Sequence, residues 1–473
     1  MISLYIHIPF CIRKCNYCDF LSGPASAEMT ENYLDALKTE IALTGDMLSG
    51  KKAPAAELKA AGIFAGINDH DGTPGKSLSK ADGVRGTKST DVDSIFIGGG
   101  TPSILTEGQM YGVLNCVRDH YHVLPDAEIT AEANPGTVSK EKLCSWIASG
   151  INRISIGVQS FHDAELRMLG RIHNSKEAVE AYENARTAGF DNISIDLMSA
   201  LPGQTFSAWE RNLQKAVELA PDHISAYSLI LEDGTPLSRE YENGCLPPVP
   251  EDEEDRRMYH FTRDFLGAHG YRQYEISNYA KDGKRCRHNI GYWTGHDYLG
   301  LGLGASSLLQ HIRFSNTTDM EHYLQKLQKA HIQPEEADSL PRKECSQTEE
   351  DNCLLEEENS LEEKDDCLLE EENSLEEEDN CFPEEEYCLT EYENVQILTK
   401  KEQMAEFMFL GLRMTEGVSE KEFLRRFGTS LFDIYGEEIS RHMTNGLLHK
   451  SNGRVFLTSR GIDICNYVMC DFL

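Results

Sequence analysis

Nowhere in this chain of 473 residues do eighteen apolar residues run together, so the sequence offers no membrane-spanning helix. Positive charge is scarce as well: 45 Lys and Arg stand against 79 Asp and Glu, for a net charge of −34. With no basic stripe, nucleic-acid binding is not expected. The first residues hold neither a basic cluster nor a long apolar stretch of the kind a leader carries, which makes the cytoplasm the expected compartment. There, the fourteen cysteines are expected as reduced thiols, metal ligands or packing residues, not as a disulfide framework.

The charge imbalance is local. From Glu344 to Glu393 the chain carries 23 acidic residues and a single lysine, or −22, which leaves −12 for all the rest. This stretch repeats with a period of 14, from Asp351 and again from Asp365, with a degenerate third copy from Asp379. Glutamates repel and two or three leucines per repeat bury little, so 344–393 reads as an expanded acidic linker. A solvated helix and a metal or partner site are the alternatives. A second interruption, 49–90, is rich in Lys, Gly, Asp and Ala and reads as a flexible surface insertion.

Between these interruptions strands and helices alternate. Strand patterns fall at Leu4–Ile8, Ser94–Gly98, Glu128–Ala133, Arg153–Val158, Asn192–Leu197 and His223–Leu229, with helical patterns between them. Six βα units in order imply a parallel sheet with right-handed crossovers, an α/β fold of the partial (β/α)6 TIM-barrel type. Functional residues are then expected at the carboxyl ends of the strands. The expected units are a barrel over 1–235, a completing region over 236–343, the linker over 344–393, and a helical unit over 394–473. In the last, Gly446-Leu-Leu-His-Lys-Ser-Asn-Gly-Arg-Val-Phe-Leu-Thr458 reads as a helix end followed by a β-wing, giving a small winged-helix-like domain.

Cys11-Ile-Arg-Lys-Cys15-Asn-Tyr-Cys18 follows the first strand pattern. Three thiolates spaced C-x3-C-x2-C in one loop can bind three irons of a 4Fe-4S cluster and leave the fourth open to a further ligand. A tetrahedral zinc site would want a fourth Cys or His at finger-like spacing, which is missing. This spacing after a strand resembles the radical S-adenosylmethionine (SAM) superfamily. In that superfamily SAM binds the open iron and is cleaved to a 5′-deoxyadenosyl radical.

Further motifs end the next strand patterns. Gly98-Gly-Gly-Thr-Pro-Ser103 lets the backbone come close to a ligand. Glu132, Gln159 and Asp196 emerge where a barrel's active site lies, and a buried carboxylate without a partner is costly. Arg171 suits a carboxylate anchor. Together with Tyr5-Ile-His-Ile-Pro-Phe-Cys11, Asn152–Phe161, Asp196–Gln204 and Gly270–Ala280, these stretches resemble the oxygen-independent coproporphyrinogen oxidase-like radical SAM family over nearly the whole chain outside the two interruptions.

The resemblance implies Cys11, Cys15 and Cys18 as cluster ligands, and Tyr5, Tyr17, Gly99, Gly100, Thr101, Glu132, Gln159, Arg171 and Asp196 around SAM. Coproporphyrinogen dehydrogenases of this family carry a further Cys where this chain has Phe20, and a long N-terminal arm. The short start and Cys286-Arg-His288-Asn-Ile-Gly-Tyr-Trp293 are similar to the heme-chaperone, HemW-type branch. That branch implies heme as a third ligand, with His288 the candidate axial residue; by its chemistry the Cys286 thiol two residues earlier is a second candidate. An imidazole suits iron, and Tyr292 and Trp293 can stack on a porphyrin; a core histidine among packed aromatics is the other reading. The partners implied are heme or a porphyrin, a heme-acceptor protein and an electron donor. Three functions stay open: a heme chaperone, a radical decarboxylase of coproporphyrinogen III, and an iron–sulfur module that binds partners through the acidic repeat.

Overall fold

The computed structural model describes residues 1–49, 91–331 and 392–473, with backbone alone for Lys329, Ala330 and His331. The insertion expected at 49–90 and the linker expected at 344–393 lie outside the described residues, apart from Ser49, Tyr392 and Glu393.

Six parallel strands form the centre: β1 (Ile2–Ile8), β2 (Asp91–Gly99), β3 (His122–Ala133), β4 (Arg153–Gln159), β5 (Ile193–Ser199) and β6 (His223–Ser228), neighbours in sequence order. Their alternation explains the two faces. Leu4, Ile6, Ile95, Ile97, Ile154, Ile156, Ile195 and Ile224 are buried under the outer helices. The residues between them are largely polar and face inward: Ser3 meets Ser94, and Ser155 meets Asp196. The outer layer is α1 (Ala27–Leu48), α2 (Glu107–His120), α3 (Lys140–Ala148), α4 (Asp163–Met168), α5 (Ser175–Ala188) and α6 (Phe206–Leu219). Thr106 with Gln109, and Asn174 with Glu177, form capping boxes that start α2 and α5. The expected α/β partial barrel is the observed one.

The sheet continues on both sides and remains open. After α7 (Pro236–Glu242) and α8 (Asp252–Ala268), β7 (Arg272–Gln273) and β8 (Asn278–Ala280) extend it antiparallel beyond β6. Helix α9 (Arg287–Trp293) leads to β9 (Tyr298–Leu301), which pairs parallel with β1. Strands β10 (Ser306–Leu309) and β11 (Ile312–Ser315) follow as a hairpin, then α10 (Met320–His331). Strand β12 (Glu393–Ile397) joins β11, so the chain adds to the main sheet before it enters the helical unit. Glu40 of α1 ties this side together. Its buried carboxylate accepts from Gly302 N at 2.8 Å, Asn316 Nδ2 at 2.6 Å and Tyr323 OH at 2.7 Å.

The C-terminal unit has its own core around Met408, Phe423, Ile439, Val455 and Phe472. It comprises α11 (Lys400–Gly411), β13 (Val418–Ser419), α12 (Glu420–Phe427), α13 (Leu431–Thr444), β14 (Leu448–Ser451), β15 (Arg454–Leu457), α14 (Ser459–Ile462) and α15 (Cys465–Cys470). The wing read from the sequence is the β14–β15 hairpin. Its Asn452-Gly453 turn has φ of 50° and 70°, the positive pair a two-residue hairpin turn requires.

Candidate functional site

The loop after β1 is fastened at several points. Cys11 N donates to Gly23 O at 2.9 Å and Gly23 N to Pro9 O at 3.0 Å, which closes its base. Asn16 bonds the end of α4, through its N to Leu169 O at 3.0 Å and its Nδ2 to Met168 O at 2.9 Å. Arg13 Nη2 reaches Gly170 O at 2.7 Å. So held, Cys11, Cys15 and Cys18 line one cavity of about 360 Å³ at the carboxyl ends of the strands. Two donors aim at the sulfurs: Thr101 Oγ1 lies 3.4 Å from Cys11 Sγ, and Arg171 Nη1 lies 3.3 Å from Cys15 Sγ. Both suit thiolates and stand where they would tune a cluster held there. Arg171 Nη2 also donates to Gly157 O at 2.6 Å, and its Nε is buried without a protein partner among the described residues.

The glycine strip explains itself by close approach. Gly100 N donates to Ile8 O and Thr101 N to Phe10 O, both at 2.8 Å. A Cβ on Gly100 would fall 2.6 Å from Phe10 O, and one on Gly99, at φ +107°, would fall 2.5 Å from the His7 ring. His7 Nε2 faces the Leu21 carbonyl at 2.9 Å, an acceptor, so Nε2 carries the proton and Nδ1 accepts from Tyr5 OH at 3.0 Å. Tyr5 thus stands behind the cavity wall.

The cavity floor is acidic and buried. Glu132 accepts from Gly99 N at 3.3 Å; burial, then the charge of Asp196, pushes its carboxyl up to about 8. Burial also raises Asp196, although Ser155 donates to it at 3.0 Å and Ser194 at 3.2 Å. Below them sits Arg153, buried, its Nε without a partner among the described residues. Gln159 takes φ +65° at the bulged end of β4. This costly conformation aims its amide at the cavity, where Tyr227 OH donates to it at 2.9 Å. The residues present fit a cluster-and-SAM pair: three thiols, backbone brought close by glycine, and buried polar groups left for a polar ligand.

The cavity thus gathers Cys11, Cys15, Cys18, Tyr17, Gly99, Gly100, Thr101, Glu132, Gln159, Arg171 and Asp196. Sequence reasoning missed Asn134, Ser155, Met198, Tyr227 and Ile230, which also line it. Ser155 and Tyr227 carry a detectable signal as inward members of alternating strands, and Asn134 and Met198 each lie two residues past the motif carboxylates Glu132 and Asp196; Ile230 carries none.

His288 lies elsewhere. It meets Ser94, five residues before Gly99 on β2 and so about 16 Å down the strand, toward the amino ends. It is 2% exposed. Asp93, whose pKa is lowered, accepts from Ser3 Oγ, which accepts from Ser94 Oγ. Ser94 therefore accepts from His288 Nδ1 at 3.1 Å, and the Nε2 lone pair takes the Tyr292 OH at 3.1 Å. Burial lowers the imidazole to about 3, so it is neutral. Phe96 stacks on it at 5.2 Å. In this conformation neither ring nitrogen is open to iron, and Cys286 beside it is buried against Glu128, its thiol pushed up to about 12 by burial.

Residues 5–216 match the Radical SAM superfamily model and 398–464 the HemN C-terminal domain model. The heme chaperone HemW of Bacillus subtilis is 32% identical over 100% of this chain and 99% of its own. That of Lactococcus lactis is 30% identical over 100% and 97%, and that of Escherichia coli 38% over 64% and 69%. Among solved structures, the coproporphyrinogen III oxidase HemN of Escherichia coli, a radical SAM enzyme, superposes with a TM-score of 0.68 over 100% of this chain and 89% of its own, at 19% identity. That likeness speaks to the fold. No helix among the described residues is long and apolar enough to cross a membrane.

Proposed function

The chain belongs to the HemW family within the radical SAM superfamily, and we propose from that premise that it is a cytoplasmic heme chaperone. Cys11, Cys15 and Cys18 hold a 4Fe-4S cluster, SAM sits beside it, and heme is received and handed to an acceptor protein. The observation that carries this reading is the convergence of three thiols on one cavity with a buried polar floor. Bound there, a cluster with one open iron supplies a coordination position and an electron, which calls for an electron-donor partner.

The chain's own residues do the rest. Gly99 and Gly100 bring backbone to the ligand, while Arg171 and Thr101 steady the sulfurs. Tyr17 and Gln159 wall the SAM space, and Tyr5 fixes His7 behind it. Glu132 and Asp196 await the polar groups of SAM. Phe20 stands where the resembling dehydrogenases carry a further Cys, which favours the chaperone over radical decarboxylation.

The test is an anaerobic incubation of cluster-reconstituted protein with coproporphyrinogen III, SAM and a reductant, followed by mass spectrometry, with a dehydrogenase as positive control. No loss of CO2 is expected here. Product at catalytic turnover would replace the chaperone with the enzyme.

A further inference from the structure

The mouth of the cluster cavity wears an apolar collar. Phe20 and Ile230 line it and are 62% and 70% exposed. Ile12 and Leu21, on the same loop as the cysteines, are exposed as well. Single exposed apolar residues are ordinary; two on the rim of one concave opening, with two more exposed on the loop that carries the cysteines, mark a contact surface.

Two cations flank the collar. Arg13 uses Nη2 for Gly170 O and Arg171 O, and Lys14 Nζ bonds Phe20 O at 2.8 Å. Among the described residues neither has a carboxylate within ion-pair reach. Asp19 and Glu232 share the mouth and repel anions from their part of it.

We propose that this collar is the docking face of a planar tetrapyrrole with carboxylate arms. One flat face lies on Phe20 and Ile230, and the propionates turn toward Arg13 and Lys14, away from Asp19 and Glu232. The macrocycle then roofs the cluster cavity. No histidine among the described residues lines that cavity, so the flat face holds the ligand and the iron draws no imidazole from the collar. This assignment rests on the chaperone reading and moves its cargo from His288, at the far end of the barrel, to the mouth.

The test titrates hemin and metal-free protoporphyrin IX into anaerobic, cluster-loaded protein, whose three thiols are then occupied. Both are expected to bind with Kd values within about tenfold of one another. Phe20→Ser with Ile230→Ser, both exposed, should raise each Kd about tenfold or more at unchanged iron content. His288→Asn, checked for fold by iron content and circular dichroism, should leave both nearly unchanged. Full affinity in the collar variant overturns the proposal. So does hemin binding that His288→Asn abolishes in a folded protein, or hemin binding without protoporphyrin binding. If the wild-type protein binds neither molecule, the chaperone reading falls as well.

Discussion

At the scale of the residue, the cavity floor carries a measurable signature. Glu132 keeps its proton to about pH 8 in the folded chain, against 4.5 for an ordinary glutamate. Between those values the folded state binds the extra proton, so stability falls as pH rises through the window, and the penalty is complete above it. Each tenfold change in proton affinity is worth about 1.4 kcal/mol, so the penalty amounts to a few kcal/mol. Glu132→Gln removes the ionisation. Without ligands, its melting temperature relative to wild type should be near parity at pH 5 and clearly higher at pH 8. A pH-independent difference would mean that Glu132 is ionised in the folded protein. This residue was legible in the sequence because it ends a strand pattern inside a motif. Its partner, the charge of Asp196, stands 64 residues on, and no local pattern announces that the two share one floor.

At the scale of the element, α9 shows where sequence reading stops. The residues of Cys286-Arg-His288-Asn-Ile-Gly-Tyr-Trp293 carry ligand-like chemistry, yet the helix closes the amino end of the barrel. The reason is Glu128 on β3, which accepts from Arg287 N at 3.1 Å, His288 N at 3.2 Å and the Cys286 thiol. A carboxylate against the first N–H groups of a helix satisfies donors that have no partner within it. Strand patterns, glycine strips and the cysteine loop were readable because each works through near neighbours. The seat of α9 was not, because its fastener lies some 160 residues away. Glu128→Ala should therefore cost about 2–4 kcal/mol in urea unfolding. Hydrogen exchange at 286–294 should rise, while the cysteine loop stays protected. Unchanged protection of α9 would show that its packing on Phe96, not the cap, holds it in place.

At the scale of the whole molecule, the question is what couples the C-terminal unit to the barrel, since each has its own core. The joint combines an apolar patch, where Met414 clusters with Tyr274, Ile290 and Trp293, with polar contacts beside α9. Arg413, just after α11, lies over the Trp293 ring at 4.2 Å and stands 3.6 Å from Glu275, whose side chain is 1% exposed. Beside it Thr415 N donates to Tyr274 O at 3.0 Å, and Arg285 pairs with Glu416 at 2.8 Å. No local pattern in the sequence announces this seam, because its partners come from three separate stretches. Burial raises the pKa of Glu275 and Arg413 opposes that rise, so removing the cation strands a buried carboxylate. Arg413→Met should cost about 2–3 kcal/mol, discounted for the partial exposure of the arginine. Adding Glu275→Gln should return at least half of that loss, since no charge is then left unpaired. The single variant's deficit should also shrink as pH is lowered, because protonation neutralises the stranded acid. A cost below about 0.5 kcal/mol, or a double variant no better than the single, would place the coupling in the backbone bonds around Tyr274 and Thr415 instead of in this ion pair.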